Sequence, residues 1–205
     1  MRVRTQTSLG SGFAAAAMAV FALLGYGCNS DETKLDATFI SSVTPITERL
    51  VKLQPLTASG TSVTVQAVIY GPDTTLDMYA FDFGVKIGNT SLLQFVPGSA
   101  SAGGALTAGS GQTIVVTATP DMSDPSIVVI SVRKTGGGAG DDIPGPSAVI
   151  VNLTFSANMA GSTTLSIAAA PTPTVEDSTG ATIGTITFDT ANGTVTGVTT
   201  GGGPY

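Results

Sequence analysis

The sequence predicts an all-β fold, an antiparallel, jelly-roll-like β-sandwich of about nine strands preceded by a signal peptide. Three observations lead there. Within Leu76–Phe95, Tyr79, Phe81, Phe83, Val85 and Ile87 alternate with Ala80, Asp82, Gly84 and Lys86. A period of two marks a strand with one buried face. Turn formers are abundant among the 205 residues, with 26 Gly and 11 Pro, and Val/Ile/Thr runs recur between them. No window beyond the N-terminal segment shows helical periodicity. The three aromatics between Tyr79 and Phe83 are expected to form the densest part of a core.

The chain opens with Arg2 and Arg4, an apolar run Phe13–Leu24, and then Gly25-Tyr26-Gly27-Cys28. A basic start, an apolar centre and small residues at a cut site make a secretory signal peptide. The run is shorter than the roughly 20 residues of a membrane-spanning helix. The segment resembles a bacterial lipoprotein signal, in which cleavage precedes a cysteine that is then acylated. Gly27 and Cys28 fit that pattern, whereas Leu24 and Tyr26 depart from it. The resemblance implies lipidation of Cys28, export, and anchoring to the bacterial envelope at the outer membrane or cell surface. Residues 1–27 are then signal, and 28–37 form a polar tether that includes NSDETKLD.

Residues 38–198 are expected to form the domain. Phe39, Ile40, Val43 and Ile46 suggest a first strand with Pro45 at an edge. Pro55–Thr61 reads as a turn, and Val63–Tyr70 alternates as a strand ended by Gly71-Pro72-Asp73. Leu92–Val96 follows the central strand. Pro97–Gly111 and Gly136–Pro146 read as flexible Gly-rich loops. Gln112–Thr119, Ile127–Lys134, Ala148–Phe155 and Thr163–Ala168 read as strands. Thr182–Asp189 and Thr194–Val198 read as a hairpin turning at Asn192-Gly193. Residues 199–205 are a Gly-rich tail.

Composition excludes several functions. The chain has no His, so the commonest general base and the Ser-His-Asp triad are missing. No Cys/His cluster suits zinc. The carboxylate pairs Asp121/Asp124, Asp141/Asp142 and Glu176/Asp177 sit among Pro and Gly and read as solvated loop acids. A calcium site at DMSD or GDD has no EF-hand spacing. No catalytic residue, metal site or cofactor is expected. After removal of Arg2 and Arg4, six Lys+Arg face fourteen Asp+Glu, a net charge of −8. That acidity argues against nucleic acid and leaves the lipid as the only membrane contact.

The order of segments TSVTVQAVIY, MYAFDFGVKIGNTSLLQFVPGS, IVVISVRKTGGGAGDDIPGPSAVIVNLTFSA and FDTANGTVTG resembles cohesin domains, which share a sandwich fold with family 3 cellulose-binding modules. The resemblance runs over about Thr38 to Gly197. It implies a non-catalytic binding module in which three matching strands lie in one sheet whose outer face receives a partner. On this sequence that face is Ala80, Asp82 and Gly84; Val129, Ser131 and Arg133; and Ile150 and Asn152. Asp82 falls at the family's acidic contact position. The partner is a protein, with a dockerin-bearing one as candidate, or a polysaccharide; the other alternative is a structural or adhesive surface domain. Polysaccharide needs a flat strip of rings, and only Tyr70, Tyr79 and Tyr205 remain as tyrosines after cleavage, with no Trp. Tyr79 is expected in the core.

Overall fold

A computed structural model describes residues 34–200. The signal peptide, Cys28 and the last five residues, Tyr205 among them, lie outside the described residues. The strands are β1 (Lys34–Ile40), β2 (Leu50–Ser59), β3 (Ser62–Tyr70), β4 (Asp73–Ile87), β5 (Leu93–Phe95), β6 (Ser101–Ala102), β7 (Thr113–Pro120), β8 (Ile127–Thr135), β9 (Asp141–Ile143), β10 (Ser147–Ala157), β11 (Gly161–Ile167), β12 (Thr174–Asp177), β13 (Thr187–Phe188) and β14 (Gly193–Thr200). They form two sheets. The first runs β1-β14-β11-β4-β8-β7, with β12 and β9 also paired to β4. The second runs β13-β2-β3-β10-β5, with β6 beside β10. Residues from both sheets share one apolar core, so the all-β sandwich expected from the sequence is the observed architecture. There is no helix among the described residues.

The centre of the first sheet is β4, and its alternation explains the core. Phe81, Phe83, Val85 and Ile87 are all buried, at 0–2% exposure. Opposite them on β8 are Val128, Ile130 and Val132, also buried. Phe155 and Phe95 meet edge-on from the second sheet at 5.8 Å. Burying rings and branched chains of this kind contributes about 1.5–3 kcal/mol each.

The period breaks once in β4. Ala80 pairs with Glu176 but Met78 pairs with Asp177, so Tyr79 is an extra residue. A bulge of this type re-aims side chains on either side of it. Met78 therefore points inward like Phe81, and both are fully buried. Tyr79, expected in the core, is only half-buried, and its hydroxyl accepts a hydrogen bond from the Gly137 N–H at 3.0 Å.

Several other expectations change for identifiable reasons. Lys34–Asp36, read as tether, belong to β1, where they pair with Val198–Thr200. After Ile40 the chain leaves the sheet, and Val43 and Ile46 are exposed rather than in a strand. That segment is held by Lys52, whose Nζ donates to the carbonyls of Ser42 (2.8 Å) and Thr44 (2.6 Å) and lies 3.9 Å from Asp189. The Asp189 carboxylate in turn accepts from the hydroxyls of Ser42 and Thr44. The Pro55–Thr61 turn is shorter than expected, since β2 continues through Pro55 to Ser59. Pro55 is tolerated because β13 pairs only with Leu50–Val51, leaving Pro55 on an open edge beside an irregularity at Leu56.

The expected Asn192-Gly193 hairpin does not form. Only Thr187–Phe188 is strand there, and it pairs in parallel with β2 in the second sheet, whereas β14 lies in the first. Phe188 packs on Phe83 at 6.0 Å, and the chain then crosses between the sheets. Gly193 is required at the landing point, because a Cβ would sit 2.5 Å from the Phe39 ring.

The two Gly-rich loops, read as flexible, are tied to β10 and to each other. Gly103 and Ala105 donate to the carbonyls of Ile150 and Val149 at 2.9 and 2.7 Å, and Ala105 and Leu106 are buried. Lys134, 3% exposed, donates to Asp141 at 2.8 Å and to the Ala139 carbonyl at 3.0 Å. Asp141 also accepts from the N–H and hydroxyl of Thr107. Gln112 accepts from Gly109 N–H and donates to Gly137. The Asp142 carboxylate accepts from the N–H groups of Leu76 and Asp77, so neither member of this pair is a free loop acid. Burial pushes the Asp141 carboxyl up, but the hydrogen bonds from Lys134 and Thr107 outweigh it and leave the pKa below the ordinary value.

Two predictions follow from this packing. Phe81→Ala is expected to destabilise the fold by about 3–5 kcal/mol in chemical denaturation, the range for a large ring lost from a core. Asp141→Ala is expected to cost about 2–3 kcal/mol, below the ~3–5 kcal/mol of breaking a fully buried pair because Asp141 is partly exposed. Since the folded pKa is depressed, the Asp141 contribution is complete above the unfolded value near 3.9. It is lost as pH falls through the lower folded value. A denaturation series from neutral to acid pH should show the wild type losing more stability than Asp141→Ala below about pH 4.

Candidate functional site

The outer face of the first sheet is built from β12, β4, β8 and β7 in lateral order. Register sets its rows. Glu176, Ala80, Arg133 and Val115 lie side by side, as do Thr174, Asp82, Ser131 and Thr117, and then Gly84, Val129 and Thr119. Inward burial of Phe81 and Phe83 forces Asp82 outward, because neighbouring residues on a strand point to opposite faces.

Arg133 is the centre of this face. Its Nη2 donates to Asp82 Oδ2 at 3.1 Å, and its Nη1 reaches Glu176 Oε2 at 3.1 Å. The guanidinium thus spans Ala80, which is fully buried beneath the pair. The three charged side chains remain 43% (Arg133), 35% (Asp82) and 28% (Glu176) exposed. Ion pairs that solvated contribute only about 0–1 kcal/mol each. The fork therefore orients three charged groups more than it stabilises the sheet. Around it the surface is uncharged: Thr113, Val115, Thr117 and Thr119 are exposed, and Val129, Ser131 and Thr174 are half-buried.

Six of the eight residues expected on one face lie on adjacent strands of this sheet, and two do not. Ile150 and Asn152 belong to β10 in the second sheet. Ile150 is 1% exposed. The register between β10 and β3 slips between Val149 and Val151, making Ile150 an extra residue that turns inward beside Val151. Asn152 donates to the Ser101 hydroxyl at 3.4 Å. Ala80 and Gly84 lie on the correct face but are covered. A Cβ on Gly84 would meet Ile127 at 3.0 Å and Ala168 at 3.2 Å, with Pro171 close by. The β11–β12 connection thus closes one end of the face, and Ile127 is 8% exposed beneath it.

Glu176 is the member of this charged fork that sequence reasoning missed. It read as a loop acid because Pro171 and Pro173 precede it. Its strand is only four residues long. The available signal was the phase of Thr174-Val175-Glu176, with Val175 buried between two residues on the outer side.

Three other acids are each engaged by a neighbouring Ser or Thr. Asp121 accepts from the N–H and hydroxyl of Ser123 at 2.8 Å each. Asp124 does the same with Ser126 and Asp177 with Thr179. The Ser123 N–H, the Ser126 hydroxyl and the Thr179 hydroxyl are the chief reasons that the three carboxyls lie below their ordinary pKa. Asp77, held at φ +52, accepts from the Ser178 hydroxyl and from the Gly140 N–H, which likewise lower its pKa. Among the described residues no group of three or more His, Cys, Asp or Glu is placed to hold a metal ion. None of the described aromatic rings is more than partly exposed, so they offer no strip on which sugars could stack.

No protein-family model and no curated protein matches the chain. Solved structures do. A type II cohesin domain from the cellulosome of Acetivibrio cellulolyticus is 16% identical over 70% of this chain and 91% of its own, with a TM-score of 0.47. The sixth cohesin of scaffoldin B from the same organism, solved in complex with a dockerin, is 21% identical over 64% and 85%, with a TM-score of 0.42. A cohesin module from a Clostridium perfringens family 33 glycoside hydrolase is 13% identical over 82% and 96%, with a TM-score of 0.41. The fold resembles that of cohesin modules.

Proposed function

We propose that this chain is a non-catalytic, exported binding module that presents the outer face of β12, β4, β8 and β7 to a protein partner. The observation that carries the reading is the Asp82–Arg133–Glu176 fork, whose neighbours on β7, β8 and β12 are uncharged Thr, Ser and Val side chains. Such a surface offers fixed charges to orient a partner and a rim of small hydroxyl and aliphatic side chains to exclude water around them. The acid on the central strand is the one that the resemblance to cohesins picks out, and a dockerin-bearing protein is the partner class it implies. The absence of His and the local engagement of the Asp carboxylates favour binding over catalysis. The proposed location is the outside of the cell envelope, with acyl chains on Cys28 as the anchor.

The test is a pull-down from the native secretome with the wild type and with the double variant Asp82→Ala/Arg133→Ala. The variant should unfold within about 1 kcal/mol of the wild type, as expected for exposed pairs. It should lose partner capture by tenfold or more (about 1.4 kcal/mol). Unchanged capture removes the face from consideration, and capture indifferent to calcium chelation removes the dockerin class. Binding to polysaccharide gels alone would support a carbohydrate module instead. For the anchor, labelled fatty acid should enter the wild type and not Cys28→Ser; equal labelling of both would refute acylation at that residue.

A further inference from the structure

We infer that β7 is a pairing edge for a second copy of this chain. It is the last strand of the first sheet, and it pairs with β8 without any register slip from Thr113 to Pro120. Among the described residues, no hydrogen bond outside that ladder involves the backbone of Ile114–Thr119. One side of the strand therefore presents a row of unsatisfied N–H and C=O groups.

Exposed edges normally carry a guard such as charge, proline or a bulge. The opposite edge of the same sheet, β1, has one in the Lys34 and Asp36 side chains. The strand reads TIVVTATP; it has no charge and no bulge, and its proline, Pro120, stands at the last position, outside the Thr113–Thr117 run. It is β-branched at five successive positions, the composition that favours pairing.

The occupant is indicated by the symmetry of the segment. An antiparallel two-fold axis through Val115 places Thr113 opposite Thr117 and Ile114 opposite Val116. The three central pairs, Thr113 with Thr117, Ile114 with Val116 and Val115 with itself, are then β-branched on β-branched, and Thr on Thr is a favourable cross-strand pair. The same axis opposes no like charges. The two Arg133 residues stand three strand spacings apart, about 14 Å, beyond a Debye length of about 8 Å. Each is already paired within its own copy. The contact is a strand edge and falls below the ~1,200 Å² of a stable interface, so the dimer is weak and concentration-dependent. It leaves the Asp82–Arg133–Glu176 face open and sets two such faces in one continuous sheet, a bivalent arrangement.

Sedimentation velocity on the full chain over a wide concentration range tests this. The wild type should show a monomer–dimer equilibrium. Val115→Lys and Thr117→Lys should weaken it about tenfold or more, while Ser162→Lys, on β11, should not. Far-UV circular dichroism and thermal melts establish that the variants fold. In a Cys28→Ser background, Val115→Cys should form a disulfide-linked dimer. Opposed strand residues lie about 4.5–5.5 Å apart, within the disulfide range. A wild type that stays monomeric throughout, or a dimer indifferent to both lysines, overturns the inference. Protection of Thr113–Thr119 amides from hydrogen exchange only when a foreign partner is added would also overturn it and assign the edge to that partner.

Discussion

Burial of Phe81 and Phe83 against the facing sheet is the constraint from which the rest of the molecule follows. Two rings one residue apart can both enter a core only if the backbone between them is extended. An extended backbone sends Asp82 the other way. The lateral neighbours are then set by register, so Ser131 and Thr174 flank Asp82 and Arg133 stands one pair along. The charged fork is thus a consequence of core packing on the opposite side of the same strand. Its own contribution to stability is small, as expected for groups left partly in water. Its value lies in holding charge at defined positions.

Irregularities determine where that face ends. The bulge at Tyr79 lets Met78 and Phe81 both point inward and brings the Tyr79 hydroxyl to the Gly137 loop. At the other end, Gly84 admits Ile127 and the Ala168–Pro171 segment close to the sheet. The exposed part is left as a short band across four strands. Polar anchors do comparable work elsewhere. Lys52 with Asp189, and Lys134 with Asp141, are nearly buried pairs that fasten segments having few apolar residues of their own. Glycine-rich sequence does not by itself make a mobile loop when its backbone groups find fixed partners.

Likeness to solved structures at this distance assigns no ligand. The site has to be argued from its own chemistry. What distinguishes this face is one arginine shared by two carboxylates on neighbouring strands, surrounded by threonine, serine and valine. The adjoining edge is uncharged and regular, an unusual feature for a free strand. Together they make one side of the sandwich a surface suited to association, both across the face and along the edge.

Much of this was legible in residue order. Strict alternation over Phe81–Ile87 was enough to assign one strand, its buried side and the outward turn of Asp82, while the resemblance to cohesins put Arg133 on the same face. Periodicity reports which residues share a face because each step of a strand reverses the side chain. It does not report which strands are neighbours. Placing β10 in the same sheet as β4 therefore failed, and a single bulge moved Ile150 from the outside to the inside. Glu176 was hidden for the same reason: a four-residue strand is too short to show a period, and its partner lies 43 positions earlier in the chain at Arg133. The sequence by itself determined the strand content, the core rings and one half of the charged fork, since these depend on local alternation. Only the tertiary structure decided the other half, the anchoring of the glycine-rich loops and the free edge at β7. Those depend on hydrogen-bond partners distant in sequence, which no local pattern encodes.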